Sequence, residues 1–232
     1  MLITFSGVDG SGKTTLARAL MESLASEGIK SHYLWWFSAN ESGLGRLARA
    51  VVERGEAPKE TSEHKTNTIK PLRVMYQFFV LSDFLLRTAY WSFLRENVVC
   101  DRYLSDIVIF FATELHYSEA ITKKLMRLLR LITPTPDVAF LVDVPADIAM
   151  HRKADIASAE QHERLRRLYL HLAANDATTV LIDGSRDLDE VNQMVWAQVR
   201  HWCRTVTAIR HAEPMDNPEP YLSERLCEKD EG

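Results

Sequence analysis

Short apolar runs alternate along the chain with longer segments whose apolar positions recur every three or four residues. That alternation predicts a parallel sheet with crossover helices on both faces. Five runs read as strands, at residues 2–5, 31–36, 97–100, 138–144 and 179–182. Between the first two, residues 13–27 carry Leu16, Ala19, Leu20 and Leu24 at helical spacing, with Gly28 as a stop. Further helices are predicted near residues 44–53, over a long zone from 71 to 95, twice within 105–131, and near 146–152, 160–173 and 188–204. The last shows Leu188, Val191, Met194, Val195, Val199 and Trp202 on one stripe, a pattern that belongs against a core. Residues 56–70 are polar and weakly periodic, a loop or frayed helix.

Length and composition narrow this to one domain, residues 1–209, and a tail, 210–232. The 232 residues are 46% apolar, enough for a sizeable core. The tail holds Pro214, Pro218 and Pro220 with seven acidic and three basic side chains, so it carries the whole net charge of −4. It has too few apolar residues to offset its ordering entropy, and is expected to be disordered or clipped to a neighbour. A neutral body has no cationic track for a nucleic-acid backbone, so a small charged ligand is the expected partner. Cys100, Cys203 and Cys227 form neither a disulfide framework nor a zinc pattern, which suits a cytoplasmic setting. No apolar run approaches the roughly 18 residues of a membrane span. The nearest, residues 74–86, is broken by Gln77, Ser82 and Asp83 and reads as a buried helix, so no membrane partner is expected. The eight histidines show no metal spacing, and His151, His162 and His171 read as helix-surface residues.

Candidate chemistry begins where the first strand meets the first helix. Gly7-Val8-Asp9-Gly10-Ser11-Gly12-Lys13-Thr14 fits G-x-x-x-x-G-K-[ST], a loop whose inward N–H groups and following helix N-terminus hold phosphate oxygens. Lys13 adds charge and Thr14 a metal-facing hydroxyl. A second constellation closes the third strand, Asn97-Val98-Val99-Cys100-Asp101-Arg102-Tyr103, at the carboxyl edge where α/β sheets bind ligands. There Asp101 can hold Mg²⁺ or its water and Arg102 can clamp a phosphate, although an acidic and a basic residue after a strand also make a plain surface ion pair.

Together these motifs resemble the thymidylate kinase family of nucleoside monophosphate kinases. Gly7 to Thr15 is similar to the family's G-x-D-G-x-G-K-T-T, and Asp101-Arg102-Tyr103 to the end of its third strand. Leu141-Val142-Asp143-Val144-Pro145 resembles its fourth strand and turn, and Arg164-Leu165-Arg166-Arg167-Leu168-Tyr169 its post-lid helix. Leu181-Ile182-Asp183-Gly184, followed by Leu188-Asp189-Glu190-Val191, resembles its last strand and helix. The likeness covers most of residues 1–204.

The resemblance implies a three-layer P-loop NTPase fold with a short lid, at residues 152–159, and Mg²⁺-dependent transfer of the γ-phosphoryl of ATP to a nucleoside monophosphate, dTMP first. ATP would lie against Gly7, Val8, Asp9, Gly10, Ser11, Gly12, Lys13, Thr14 and Thr15. Lys13 would neutralise the transferred phosphoryl, Thr14 and Asp101 would serve the metal, and Asp9 would approach the acceptor. Arg102 would grip the acceptor phosphate with Tyr103 along the sugar. Position 11 is Ser, so the likeness is to members that carry the stabilising arginine in the lid: Arg152 is assigned that role, with Lys153 next. Both cations also suit the C-terminal end of the preceding helix, where each contributes about 0.3–1 kcal/mol.

On the acceptor side, Asn40 and Phe84 stand where the family's pattern has arginines. Arg46 lies near the first, and Arg87, one turn beyond Phe84, is the candidate replacement for the second. Trp35, Trp36 and Phe37 end the second strand and can either wall a base pocket or fill the core; Phe37 is the pocket candidate. Family likeness and the apolar zone from Val74 to Leu94 point to a homodimer.

Overall fold

The computed structural model describes residues 1–35, 81–115, 117–153, 158–174, 176 and 178–212. In chain order these form β1 (Leu2–Ser6), α1 (Lys13–Ser26), β2 (Ser31–Trp35), a helix α2 described over residues 81–93, β3 (Asn97–Asp101), α3 (Leu104–Glu114) and α4 (Glu119–Arg130). Then follow β4 (Val138–Asp143), α5 (Ala146–Arg152), α6 (Ala159–Ala173), β5 (Thr179–Asp183) and α7 (Leu188–Ala212).

The five strands pair in the order β2-β3-β1-β4-β5, all parallel. Leu2 is level with Val98, and Ile3 with both Val99 and Val138. Alternation along β1 and β3 divides the core in two. Ile3, Phe5 and Val99 pack with Leu16, Leu20, Val195 and Val199 on the face covered by α1 and α7. Leu2, Val98 and Cys100 pack with Phe84, Ile107, Met126 and Leu172 on the other face. The result is the parallel sheet with helices on both faces that the alternation predicts, in the three layers that the resemblance implies, with every predicted strand present to within one residue at either end.

Because all strands run one way, their carboxyl ends share one edge. Asp101, Asp143 and Asp183 each close a strand there, and Ser6 closes β1 between the first two. The loops leaving this edge carry the candidate chemistry, at the crevice flanking β1 where successive connections pass to opposite faces.

One boundary differs from expectation. The final helix is described to Ala212 rather than to Arg204, three residues into the stretch read as tail. No Gly or Pro interrupts residues 205–212, so nothing local ends the helix sooner. The helix expected near 44–53, the polar stretch 56–70, the first part of the long helical zone, Trp36, Phe37, Asn40, Arg46, lid residues 154–157 and residues 213–232 lie outside the described residues. No helix among the described residues is long and apolar enough to cross a membrane.

Candidate active site

The phosphate loop leaves β1 through backbone that only glycine accepts without strain. Gly7 has φ 143°, and a Cβ there would collide with the Val142 carbonyl. Gly10 has φ 79°, and its Cβ would come within 2.7 Å of the Ala149 carbonyl oxygen. Both positions press the loop onto β4 and α5, so its path is fixed before any ligand binds. The chain then enters α1, whose N-cap, Gly12, leaves the first N–H groups turned towards the loop.

Lys13 is buried, with its Nζ donating to the Val8 carbonyl at 2.5 Å and to Ser11 Oγ at 3.3 Å. Burial pushes its ammonium down to about 8, helped by the Arg102 charge and opposed by Asp106, Asp9 and Asp101. A cation held inside the loop at this cost is poised for an incoming anion. Thr14, one position on, donates from Oγ1 to Asp101 Oδ2 at 2.6 Å, and the Tyr33 hydroxyl donates to the same oxygen at 2.8 Å.

The other oxygen of that carboxylate, Asp101 Oδ1, is buried with no hydrogen-bond partner. A buried carboxylate oxygen without a donor is costly, and a hard cation beside the Thr14 hydroxyl satisfies it. No cluster of three His, Cys, Asp or Glu side chains suited to a metal occurs among the described residues. The Asp101 and Thr14 oxygens would fit Mg²⁺, which is held by one or two protein oxygens, water and substrate phosphates.

Asp9 and Arg102 face each other across the same edge. Arg102 Nη2 donates to Asp9 Oδ1 at 2.5 Å, and Lys153 Nζ donates to Asp9 Oδ2 at 3.0 Å. Burial would raise the Asp9 carboxyl, but the Arg102 hydrogen bond and charge, with Lys13 and Lys153, hold it well below the usual carboxylate range. Asp9, Lys13, Thr14, Asp101 and Arg102 are thus brought together as the sequence implies.

Other candidates sit differently. Arg152 does not reach Asp9: its Nη1 donates to the Gly184 carbonyl at 2.8 Å, and the side chain lines a cleft of about 220 Å³ with Ser11, Gly12, Thr15 and Arg186. Its neighbour Lys153 is the one of the two that reaches Asp9, alongside Arg102. Tyr103 is buried, edge-on to Phe84 with ring centroids 6.0 Å apart, and its hydroxyl donates to the Pro134 carbonyl at 2.7 Å. Phe84 is only 2% exposed and belongs to the core, and Arg87 pairs with Asp83 at 2.7 Å.

His162 corrects the expectation of a surface residue. It is 3% exposed, with Nε2 lying 3.3 Å from the Asp9 carbonyl oxygen. Sequence reasoning also missed Asp106 and Tyr169, both buried behind Arg102. The available signal was spacing: Asp106 lies four residues after Arg102 at the start of a helix.

A family model described as thymidylate kinase matches residues 5–195. The chain belongs to the thymidylate kinase family. It is therefore an enzyme of the nucleoside monophosphate kinase class. A probable thymidylate kinase of Archaeoglobus fulgidus is 30% identical over 202 residues, an alignment spanning 84% of this chain and 92% of the relative. Thymidylate kinases of Fervidobacterium nodosum and Dinoroseobacter shibae are 24% and 29% identical, covering 84% and 82% of this chain and 96% and 91% of theirs. The thymidylate kinase match takes in the end of β1, the other four strands and all the described site residues, and leaves out residues 1–4, most of α7 and the tail.

Proposed function

We propose that the chain catalyses Mg²⁺-dependent transfer of the γ-phosphoryl group of ATP to a nucleoside monophosphate, with dTMP as the preferred acceptor. The supporting observation is the convergence of three groups at one sheet edge: the Lys13 ammonium in its loop, the Asp101 and Thr14 oxygens, and the Arg102 guanidinium. Phosphoryl transfer needs alignment and charge neutralisation more than covalent help from the protein, and this set supplies both.

The loop N–H groups and Lys13 hold the donor phosphates, while the cleft bounded by Arg152 and Arg186 lies beside them for the donor nucleoside. Arg102 takes the acceptor phosphate. To do so it releases Asp9 Oδ1, which then turns to the acceptor's sugar while Lys153 stands at Oδ2. Lys153, already at Asp9, is the lid cation assigned to the moving phosphoryl in place of Arg152. Thr14 and Asp101 would hold Mg²⁺, directly or through water, and the ion would supply positive charge to the donor phosphates.

A second reading keeps the chemistry and changes the acceptor base or sugar. Phe84 is buried rather than facing a ligand, and Arg87 is engaged by Asp83, so α2 offers no uncommitted arginine at these two positions. Competition among dTMP, dUMP, UMP, CMP, AMP and GMP, scored by kcat/KM, separates the two. The first reading predicts dTMP ahead of the others by at least tenfold. A different leading acceptor supports the second.

The enzyme is proposed to act as a homodimer in the cytoplasm. Cys100 and Cys203 are both buried as thiols, which suits a reducing compartment. Leu86, Tyr90 and Phe93, at 71%, 56% and 84% exposure, lie at helical spacing on α2 and offer an apolar stripe. Sedimentation at micromolar concentration is expected to show a dimer that Phe93→Glu converts to monomer. A parent sedimenting only as monomer would remove this assignment.

A further inference from the structure

One face of α6 reaches the carboxyl edge of the sheet at three points. His162, Arg166 and Tyr169 are four and three residues apart, so they share a face over two turns. His162 meets the Asp9 carbonyl, and Arg166 closes a two-point ion pair on Asp143 at 2.6 and 2.8 Å. Tyr169 donates its hydroxyl to Asp106 Oδ1 at 2.9 Å.

Asp106 is the link to the site. Its side chain is 1% exposed, its Oδ2 accepts from the Tyr103 N–H at 3.3 Å, and its Oδ1 stands 3.4 Å from Arg102 Nη1. Arg102 itself has φ 75°, a left-handed conformation that a non-glycine residue keeps only where its surroundings hold it. Its guanidinium is gripped from two sides: Nη2 by Asp9, which faces the ligand space, and Nη1 by Asp106, which lies behind. Burial disfavours the Arg102 charge, and the Asp106 and Asp9 carboxylates together restore it. Tyr169, pushed well above its usual range by burial and by the Asp106 charge, remains a hydroxyl donor.

We propose that Asp106 and Tyr169 are positioning residues for Arg102: the phenol fixes the buried carboxylate, and the carboxylate holds one edge of the guanidinium so that the other faces the acceptor phosphate. Neither residue touches substrate. The inference rests on Arg102 as the acceptor clamp, and it predicts a defect confined to that half of the reaction.

The test uses Asp106→Asn and Tyr169→Phe in the full chain. Asp106→Asn is expected to raise KM for the nucleoside monophosphate about tenfold and Tyr169→Phe about threefold, with KM for ATP within about twofold of the parent. A merely structural role would lower thermal stability and move both KM values together, which would overturn the assignment. If Asp106→Asn does not fold, Tyr169→Phe, which keeps the carboxylate, carries the test. An independent readout is the Arg102 guanidinium Nε–H signal in arginine-labelled protein: slow exchange in the parent and at least tenfold faster exchange in the variants is expected. Parent-like exchange and parent-like acceptor KM in both variants would refute the proposal. If the parent phosphorylates no monophosphate, the functional reading fails, while the Arg102 signal still decides this one.

Discussion

Replacing Lys13 by Met is expected to lower kcat about 10³-fold while leaving the protein at least as stable at neutral pH. The loss follows from removing a charge that the loop places where the transferring phosphoryl must be neutralised. Retained stability follows from the cost of holding that charge in the free protein, since Met keeps the aliphatic stem in the same slot. Burial lowers Lys13 from an ordinary 10.5 to about 8, so between these values the unfolded chain binds more protons than the folded one. The penalty, on the order of 3 kcal/mol, is fully present below about pH 8 and is relieved as pH rises towards 10.5. Stability of the parent should therefore rise with pH across that window relative to Lys13→Met. Denaturant melts at pH 7 and pH 10, with steady-state kinetics, check both halves. A variant that keeps a tenth of parental turnover, or that fails to fold, would contradict this role.

Removing divalent metal is the other large effect. Chelation by EDTA should bring turnover to background, and excess Mg²⁺ should restore it. Asp101→Asn should lower activity about 10- to 100-fold and raise the Mg²⁺ concentration needed for half-maximal rate. The reason is local: Asp101 has one oxygen occupied by Thr14 and Tyr33 and the other buried without a donor, so a cation meets an existing demand. Full turnover in EDTA, or an Asp101→Asn enzyme with parental Mg²⁺ dependence, would refute the metal assignment.

What the sequence discloses here is what local pattern encodes. Strand ends, the glycine turn and the Asp101-Arg102 pair are contiguous in the chain, so their placement on one edge follows from a parallel sheet. The contacts that tune the site are between distant segments. Asp106 and Tyr169 are separated by 63 residues, and His162 and Asp9 by 153. In α6 the buried face mixes His162 and Tyr169 with Leu172, so hydropathy alone does not separate its inward histidine from an outward one. Position 152 shows the same limit: two adjacent cations diverge, Arg152 to Gly184 and Lys153 to Asp9, and sequence spacing does not rank them. Phe84 follows Asp83 in a stretch that resembles a ligand-facing segment, but its helix turns it into the core against Tyr103.

The proposed chemistry is phosphoryl transfer between two nucleotides at this edge. The direct measurement is phosphorus NMR of purified protein with ATP, Mg²⁺ and dTMP. ADP and dTDP should appear in equal amounts with the parent and not with Lys13→Met. ADP formed without dTDP would mark an ATPase, and no ADP with any monophosphate would mark a binding protein; either result would contradict the kinase reading.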